Sequence, residues 1–274
     1  PDEILTTLIN EMSDIDDDFV LGLDDYHVIT SEQIHGMMST LVENMPPRMH
    51  LLITSRHDPP IPLARLRARG DLTEIRAADL QFDGDEAATM LAAAEELELP
   101  ASVLSDLTER TEGWAAGLHL FALSVRGSDL SDDELRRRVE SFSGGQNFVF
   151  DYLATEIFEQ CDEQLREFLV KTSLLDHLNG PLCDHVTGMT NGERTLANLA
   201  EQNLFLIPLD DERRWYRYHH LFQDFLRSRA LEPGADIAQE VHHLAAAWLE
   251  NNGLKSEAIE QAYVAGDHEG IARL

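Results

Sequence analysis

Lysine is nearly missing from this sequence: Lys171 and Lys255 are the only two in 274 residues. Neither follows a glycine. The motif GxxxxGK[ST], whose backbone N–H groups cradle phosphates and whose lysine reaches the terminal ones, therefore occurs nowhere in the chain. Positive charge as a whole is scarce, with 21 basic residues against 51 acidic ones and a formal charge of −30. Most of such a surface repels nucleic acid and anionic membrane. Cysteine is scarce too: Cys161 and Cys183 form no CxxC pair, which excludes the common thiolate zinc sites and dithiol redox chemistry. No apolar run is long enough to cross a bilayer, and residues 1–10 lack the basic start and apolar stretch of a signal peptide, so no membrane partner and a cytoplasmic location are expected.

What is present suits a folded, multidomain chain. Hydrophobic residues make up 43%, ordinary for a globular protein, and the length fits two or three compact units at roughly 100–200 residues each. In residues 1–75, helical spacing at Ile4, Leu5, Leu8, Ile9 and Met12 gives way to an apolar run at 19–23 that stops at Asp24-Asp25. A second amphipathic helix (Ile34, Met37, Met38, Leu41, Val42) leads through Pro46-Pro47 to a second apolar run at 49–54, ending at Ser55-Arg56. Residues 72–75 are expected to add a third short strand. Apolar strands alternating with helices predict a parallel sheet covered on both faces. From Asp83 onward helical periodicity takes over, with Asp83 or Asp85 as cap of the first helix and a polar stretch at 127–145 read as a hinge. Three helices between 163 and 202, then two strands joined by a charged turn at 210–214, describe a winged-helix module. Two further helices joined at Asn252-Gly253 open a helical repeat.

The segment FVLGLDDYH at 19–27 carries the chemical content. A buried parallel strand delivers its last residues to the crevice where α/β sheets bind ligands. Two carboxylates there can hold Mg²⁺ through one acid and orient an attacking water through the other. Alternatively, Asp24-Asp25 simply ends a strand. Ser55 and Arg56 end the neighbouring run, where a guanidinium can sense a γ-phosphate or, more plainly, pair with Asp58. The adjacent histidines His219-His220 and His242-His243 have no HExxH spacing and suit structural or surface roles.

Five ordered segments, FVLGLDDYHVI, HLLITSRHDPPIPLARLRARGDLTEIRAADLQF, LTERTEGWAAGLHLFALSVRG, FVFDYLATEIFEQ and RWYRYHHLFQDFLR, resemble MalT-like, LuxR-family ATP-dependent transcriptional regulators, which are STAND-class P-loop ATPases. The resemblance implies a mixed, mainly helical chain: the C-terminal part of a nucleotide-binding domain at 1–82, a helical domain and hinge at 83–145, a winged-helix domain at 146–232, and the start of a TPR-like sensor domain at 233–274. It implies Mg²⁺ coordination by Asp24, positioning of the hydrolytic water by Asp25, a γ-phosphate sensor at Arg56, and contact of His219 with the β-phosphate of ADP. Gly113-Trp114 falls where the helical domain packs against adenine, though Trp114 serves equally as a core aromatic. The implied whole is a slow ATPase that switches between ADP and ATP forms, self-associates, senses an inducer at its helical repeat, and meets DNA through a helix-turn-helix beyond Leu274. Gly22 departs from the larger aliphatic residue usual before the acidic pair. Without the phosphate loop, this chain alone is expected to bind no nucleotide tightly and to be inactive. The alternative is a non-catalytic helical interaction scaffold with a decayed nucleotide site.

The acidic excess with few lysines also fits the solvated surface of a salt-adapted protein. At −30, self-repulsion weakens the compact state and salt screens it. Thermal unfolding midpoints are therefore expected to rise from low salt to about 1 M KCl, where the screening length falls to about 3 Å. A midpoint that stays flat or drops counts against this reading.

Overall fold

A computed structural model describes residues 2–128, 130–142, 147–231 and 237–273. The chain separates into two compact units, one built on Pro1–Arg76 and the other on Ala77–Ala200 and Leu204–Leu274, with Glu201–Asn203 grouped with the first.

The smaller unit is a βαβ arrangement with an added helix in front. Helix α1 (Asp2–Ser13) precedes β1 (Phe19–Leu23), helix α2 (Glu32–Glu43) makes the crossover, and β2 (Met49–Ile53) pairs with β1 in parallel, Phe19 opposite Met49 and Leu23 opposite Ile53. Side chains alternate across a strand. Phe19, Leu21, Met49 and Leu51 accordingly share one face and pack with Leu5, Ile9 and Met12 of α1 and Met37, Met38 and Leu41 of α2. Val20 and Leu52 point to the opposite face and are 63% and 58% exposed. The expectation of cover on both faces is thus corrected: among the described residues, helices cover one. Helix α3 (Leu63–Arg69) follows Pro62 and stops at Gly70, whose φ of 75° suits glycine. The third strand expected at 72–75 does not form. There Glu74 is drawn between Arg67 and Arg76, at 2.6 and 2.7 Å, and Ile75 remains 64% exposed, so the segment has neither a ladder partner nor a buried face.

The larger unit is mainly helical. Helix α4 (Gly84–Glu95) starts in a capping box, Asp83 accepting from the Glu86 N–H while Glu86 accepts from the Asp83 N–H. Helices α5 (Ala101–Thr111), α6 (Ala115–Val125) and α7 (Asp132–Ser141) complete a layer around Leu91, Val103, Leu107, Leu118 and Phe121. The hinge expected at 127–145 includes residues 129 and 143–145, which lie outside the described residues; its middle holds α7. Then come α8 (Asn147–Glu156), α9 (Glu163–Thr172), α10 (Gly180–Thr187) and α11 (Gly192–Glu201), the antiparallel pair β3 (Leu206–Pro208) and β4 (Tyr216–Tyr218), and α12 (His220–Ala230). One continuous core runs from Ala87 to Ala245, so the α4–α7 layer and the three-helix-and-hairpin module are packed as one. Polar ties fix the module internally. Thr172 and the Tyr218 hydroxyl meet at 2.8 Å, and Gln223 Nε2 donates to the carbonyls of Ser173 and Leu175 beyond the end of α9. Helix α13 (Ile237–Asn251) packs against α10 and turns at Gly253 into α14 (Lys255–Val264), followed by α15 (His268–Arg273). The boundary expected at 232–233 lies outside the described residues.

Two glycines make opposite demands. A Cβ on Gly113, at φ 69°, would lie 2.4 Å from the Phe82 carbonyl oxygen, whereas a Cβ on Gly22 meets nothing within 4 Å. Gly113→Ala is expected to destabilise the chain by about 2 kcal/mol or more, and Gly22→Val to be neutral or stabilising by up to about 1 kcal/mol, both read by urea unfolding.

Candidate functional site

At the carboxyl end of β1 and β2 the register brings two loops together. The Thr54 N–H donates to the Leu23 carbonyl at 3.0 Å, which sets the Thr54 side chain opposite Asp24. The Thr54 hydroxyl donates to the Asp24 carboxylate and accepts the Asp25 N–H at 3.0 Å. One hydroxyl therefore fastens both acids. Asp25 adopts φ 52° and ψ 41°, a left-handed conformation that Asp tolerates better than most residues, and its carboxylate is 70% exposed. Next in sequence, the Tyr26 N–H donates to the Thr54 carbonyl at 3.0 Å, and its buried ring places the hydroxyl 3.0 Å from His35 Nδ1. His27 lies edge-on to His57 with its Nδ1 3.7 Å from Asp25. Two shielded polar atoms here, His27 Nδ1 and Ser55 Oγ, have no hydrogen-bond partner. Arg56 is exposed at the same strand end, and Asp58 is held by Arg76.

His219 lies in the larger unit and is buried. Its Nε2 sits 2.9 Å from the Thr111 carbonyl and its Nδ1 accepts the Leu221 N–H at 3.3 Å, capping α12. A carbonyl can only accept and an N–H can only donate, so the pattern assigns the proton to Nε2 and makes the ring neutral. Burial holds the His219 pKa below its ordinary value, against the opposing pull of Glu112. Trp114 and Phe205 present edge contacts to the ring at 6.0 and 5.5 Å, and Trp114 also meets Tyr152. Trp114 is thus partly buried among these rings against the core. Beside them, Arg217 donates twice to Glu112, at 2.9 and 2.8 Å, and the His220 N–H adds a third bond at 2.9 Å. Burial alone would raise the Glu112 pKa, but the Arg217 guanidinium and that N–H hold it below the usual carboxylate range.

Asp24, Asp25 and Arg56 thus share one strand end, while His219 belongs to the other unit. Sequence reasoning missed Thr54, which the parallel register alone reveals, and missed Glu112 and Arg217, whose pairing spans 105 positions. His242 meets Gln261 at 2.7 Å, both buried, as a packing pair.

Among the described residues, the exposed surface of the winged module is poor in free cations. The exposed face of α11 offers Glu193, Arg194, Asn198 and Glu201, and at the hairpin tip Arg214 is paired with Glu212 while Asp210 accepts the N–H groups of Arg214 and Trp215. Few phosphates could be neutralised there.

The fold from α9 to α12 is a winged helix, and the family model of the MalT winged helix domain matches residues 154–238. The chain is MalT-like along almost all of its length. It is 36% identical over 264 residues to the HTH-type transcriptional regulator MalT of Klebsiella pneumoniae (strain 342), covering 96% of this chain and 29% of that protein. MalT of Yersinia enterocolitica is 34% identical over the same span. The chain is also 35% identical over 264 residues to the serine/threonine-protein kinase PknK of Mycobacterium tuberculosis, covering 96% of this chain and 23% of that protein. The chain spans between 23% and 29% of the length of these relatives. Among the described residues no helix is long and apolar enough to cross a membrane.

With its folded pKa below the ordinary 6.5, His219 leaves the unfolded chain binding more protons as pH falls from 6.5. Stability linked to His219 is fully present above that value and is lost as pH drops through the folded pKa; the Glu112 contribution is lost further down, below 4.5. The stability gap between the wild type and His219→Asn is expected to narrow from neutral pH to about pH 5, measured by urea unfolding. A gap independent of pH would refute the buried neutral ring.

Proposed function

We propose that this chain is the central part of a signal-responsive, ATP-dependent transcriptional regulator in which ADP and ATP favour different arrangements and so control self-association. One observation carries the reading: the acidic pair Asp24-Asp25, fastened by Thr54 at the carboxyl end of two adjacent parallel strands, in a chain similar over 96% of its length to MalT regulators. Hard carboxylate oxygens at such a strand end suit Mg²⁺, which takes one or two carboxylates and completes its shell with water and nucleotide phosphates. The Ser55 hydroxyl, without a hydrogen-bond partner, leaves polar capacity open beside the acids.

In this reading Asp24 would hold the magnesium, which would draw charge from the phosphates, while Asp25 would orient the attacking water and Arg56 would take the γ-phosphate. To answer the β-phosphate of ADP, as the family resemblance implies for it, His219 would have to give up the Thr111 carbonyl or the Leu221 N–H that now occupy its ring nitrogens. The inducer binds the helical repeat, and DNA is met by a separate helix-turn-helix, consistent with the acidic face of α11. PknK, named as a kinase, is similar over the same stretch, which favours a second reading of the output: the segment as a control module whose effector differs between proteins.

The coding sequence ahead of Pro1 tests the switch first. An in-frame GxxxxGK[ST] supports it, and absence of that motif from the whole gene sinks it. Calorimetry of the 274-residue chain with MgATP or MgADP is expected to show no submicromolar binding. In the intact gene product Asp25→Asn is expected to lower ATP turnover about 100-fold or more with ADP affinity retained. Unchanged turnover would remove Asp25 from the mechanism.

A further inference from the structure

Thr54, the first residue beyond β2, spends its N–H, its hydroxyl and its carbonyl on four consecutive residues at the end of β1. The N–H donates to the Leu23 carbonyl, the hydroxyl donates to Asp24 Oδ1 and accepts the Asp25 N–H, and the carbonyl accepts the Tyr26 N–H. The two main-chain bonds extend the parallel pairing and are open to any residue with an N–H. The two hydroxyl bonds are not: they need a hydroxyl one carbon from the backbone, which threonine and serine alone supply.

Those two bonds act on the acids of the nucleotide reading, on which this inference rests. With Oδ1 tied to Thr54, the Asp24 carboxylate is fixed in direction, and Oδ2 is the oxygen left for a cation. Asp25 stands at φ 52°, a conformation that costs a non-glycine residue and persists where surrounding contacts enforce it. It heads the short turn at Tyr26–Val28, yet makes none of the side-chain cap bonds for which aspartate is favoured there. Its carboxylate is instead 70% exposed. The peptide on its far side is anchored as well, since the Tyr26 ring is buried and its hydroxyl lies 3.0 Å from His35 Nδ1 in α2. Asp25 is thus held between a grip on its own N–H and a fixed neighbour.

We propose that Thr54 is a positioning residue for ATP hydrolysis in the intact protein, its hydroxyl setting the directions in which both acids present their carboxylates. It acts through them. The one hydroxyl hydrogen goes to Asp24, so Thr54 has none to offer a phosphate oxygen. Orientation of the acids counts in the transition state, whereas nucleotide affinity draws on contacts elsewhere, so the loss of this hydroxyl falls on rate rather than on binding.

Turnover and ADP affinity of the intact gene product test it, with Thr54→Val and Thr54→Ser beside the wild type. Valine keeps the branched shape without the hydroxyl; serine keeps the hydroxyl without the methyl. Thr54→Val is expected to lower kcat about tenfold or more and to raise the Mg²⁺ needed for half-maximal turnover about threefold, with ADP affinity by calorimetry held within about threefold. Thr54→Ser is expected to bring turnover back to within about threefold of the wild type. An unchanged kcat in Thr54→Val, equal losses in the two variants, a fall of ADP affinity in step with kcat, or a Thr54→Val protein that does not fold would each overturn the positioning role and leave the function standing. A wild type that hydrolyses no ATP removes the function first, and the role with it.

Discussion

The larger unit depends on a four-residue joint, Thr111 to Trp114, where every residue has a different obligation. Thr111 gives its carbonyl to His219, Glu112 gives its carboxylate to Arg217 and His220, Gly113 gives up any side chain to let Phe82 approach, and Trp114 begins α6 while its ring borders His219 and Phe205. Two of the four lie at positive φ, Glu112 and Gly113, so the chain reverses direction between α5 and α6 in the smallest possible space. Helix packing on either side fills one core with aliphatic and aromatic residues, and that core needs the joint to set its angle. Apolar burial supplies the bulk of the stabilisation; the polar joint selects which packing is reached.

Local signals in the sequence carried much of this architecture. The capping box at Asp83, the glycines after α3 and α13, the helical spacing of Val103, Leu107 and their neighbours, and the paired short strands around a charged turn are short-range features with short-range causes. What escaped is long-range or depends on what surrounds a segment. Residues 72–75 look strand-like by composition but lie beside arginines that capture Glu74, and a ladder requires a partner that composition cannot name. Cover on both faces follows from apolar strands in general, yet Val20 and Leu52 are exposed here. The acidic pair was legible as chemistry; its fastening through Thr54 required the register of Phe19 against Met49. Glu112 and Arg217 are unremarkable charges until the fold joins them.

Charge divides the work among surfaces. An overall −30 leaves cations too few to serve as general adhesive, and those described at interfaces are committed: Arg217 to Glu112, Arg110 to Asp224, Arg227 to Asp176. Cations spent internally cannot attract polyanions. The winged helix, a shape that elsewhere enters a DNA groove, here commits Arg217 and Arg227 to neighbouring acids, and at its hairpin tip Arg214 pairs with Glu212.

Thr54 has one hydroxyl hydrogen, and that fact orders the end of the smaller sheet. The hydrogen goes to Asp24, so the oxygen's lone pair is what remains for the Asp25 N–H. Two acids adjacent in the chain are thereby wired in series through a side chain thirty positions away, with a fixed polarity from the Asp25 amide to the Asp24 carboxylate. Anything that withdraws electron density from Asp24 weakens its claim on that hydrogen, while the oxygen keeps lone pairs for the Asp25 N–H. A threonine replaced by valine of equal bulk would keep the packing and cut the wire.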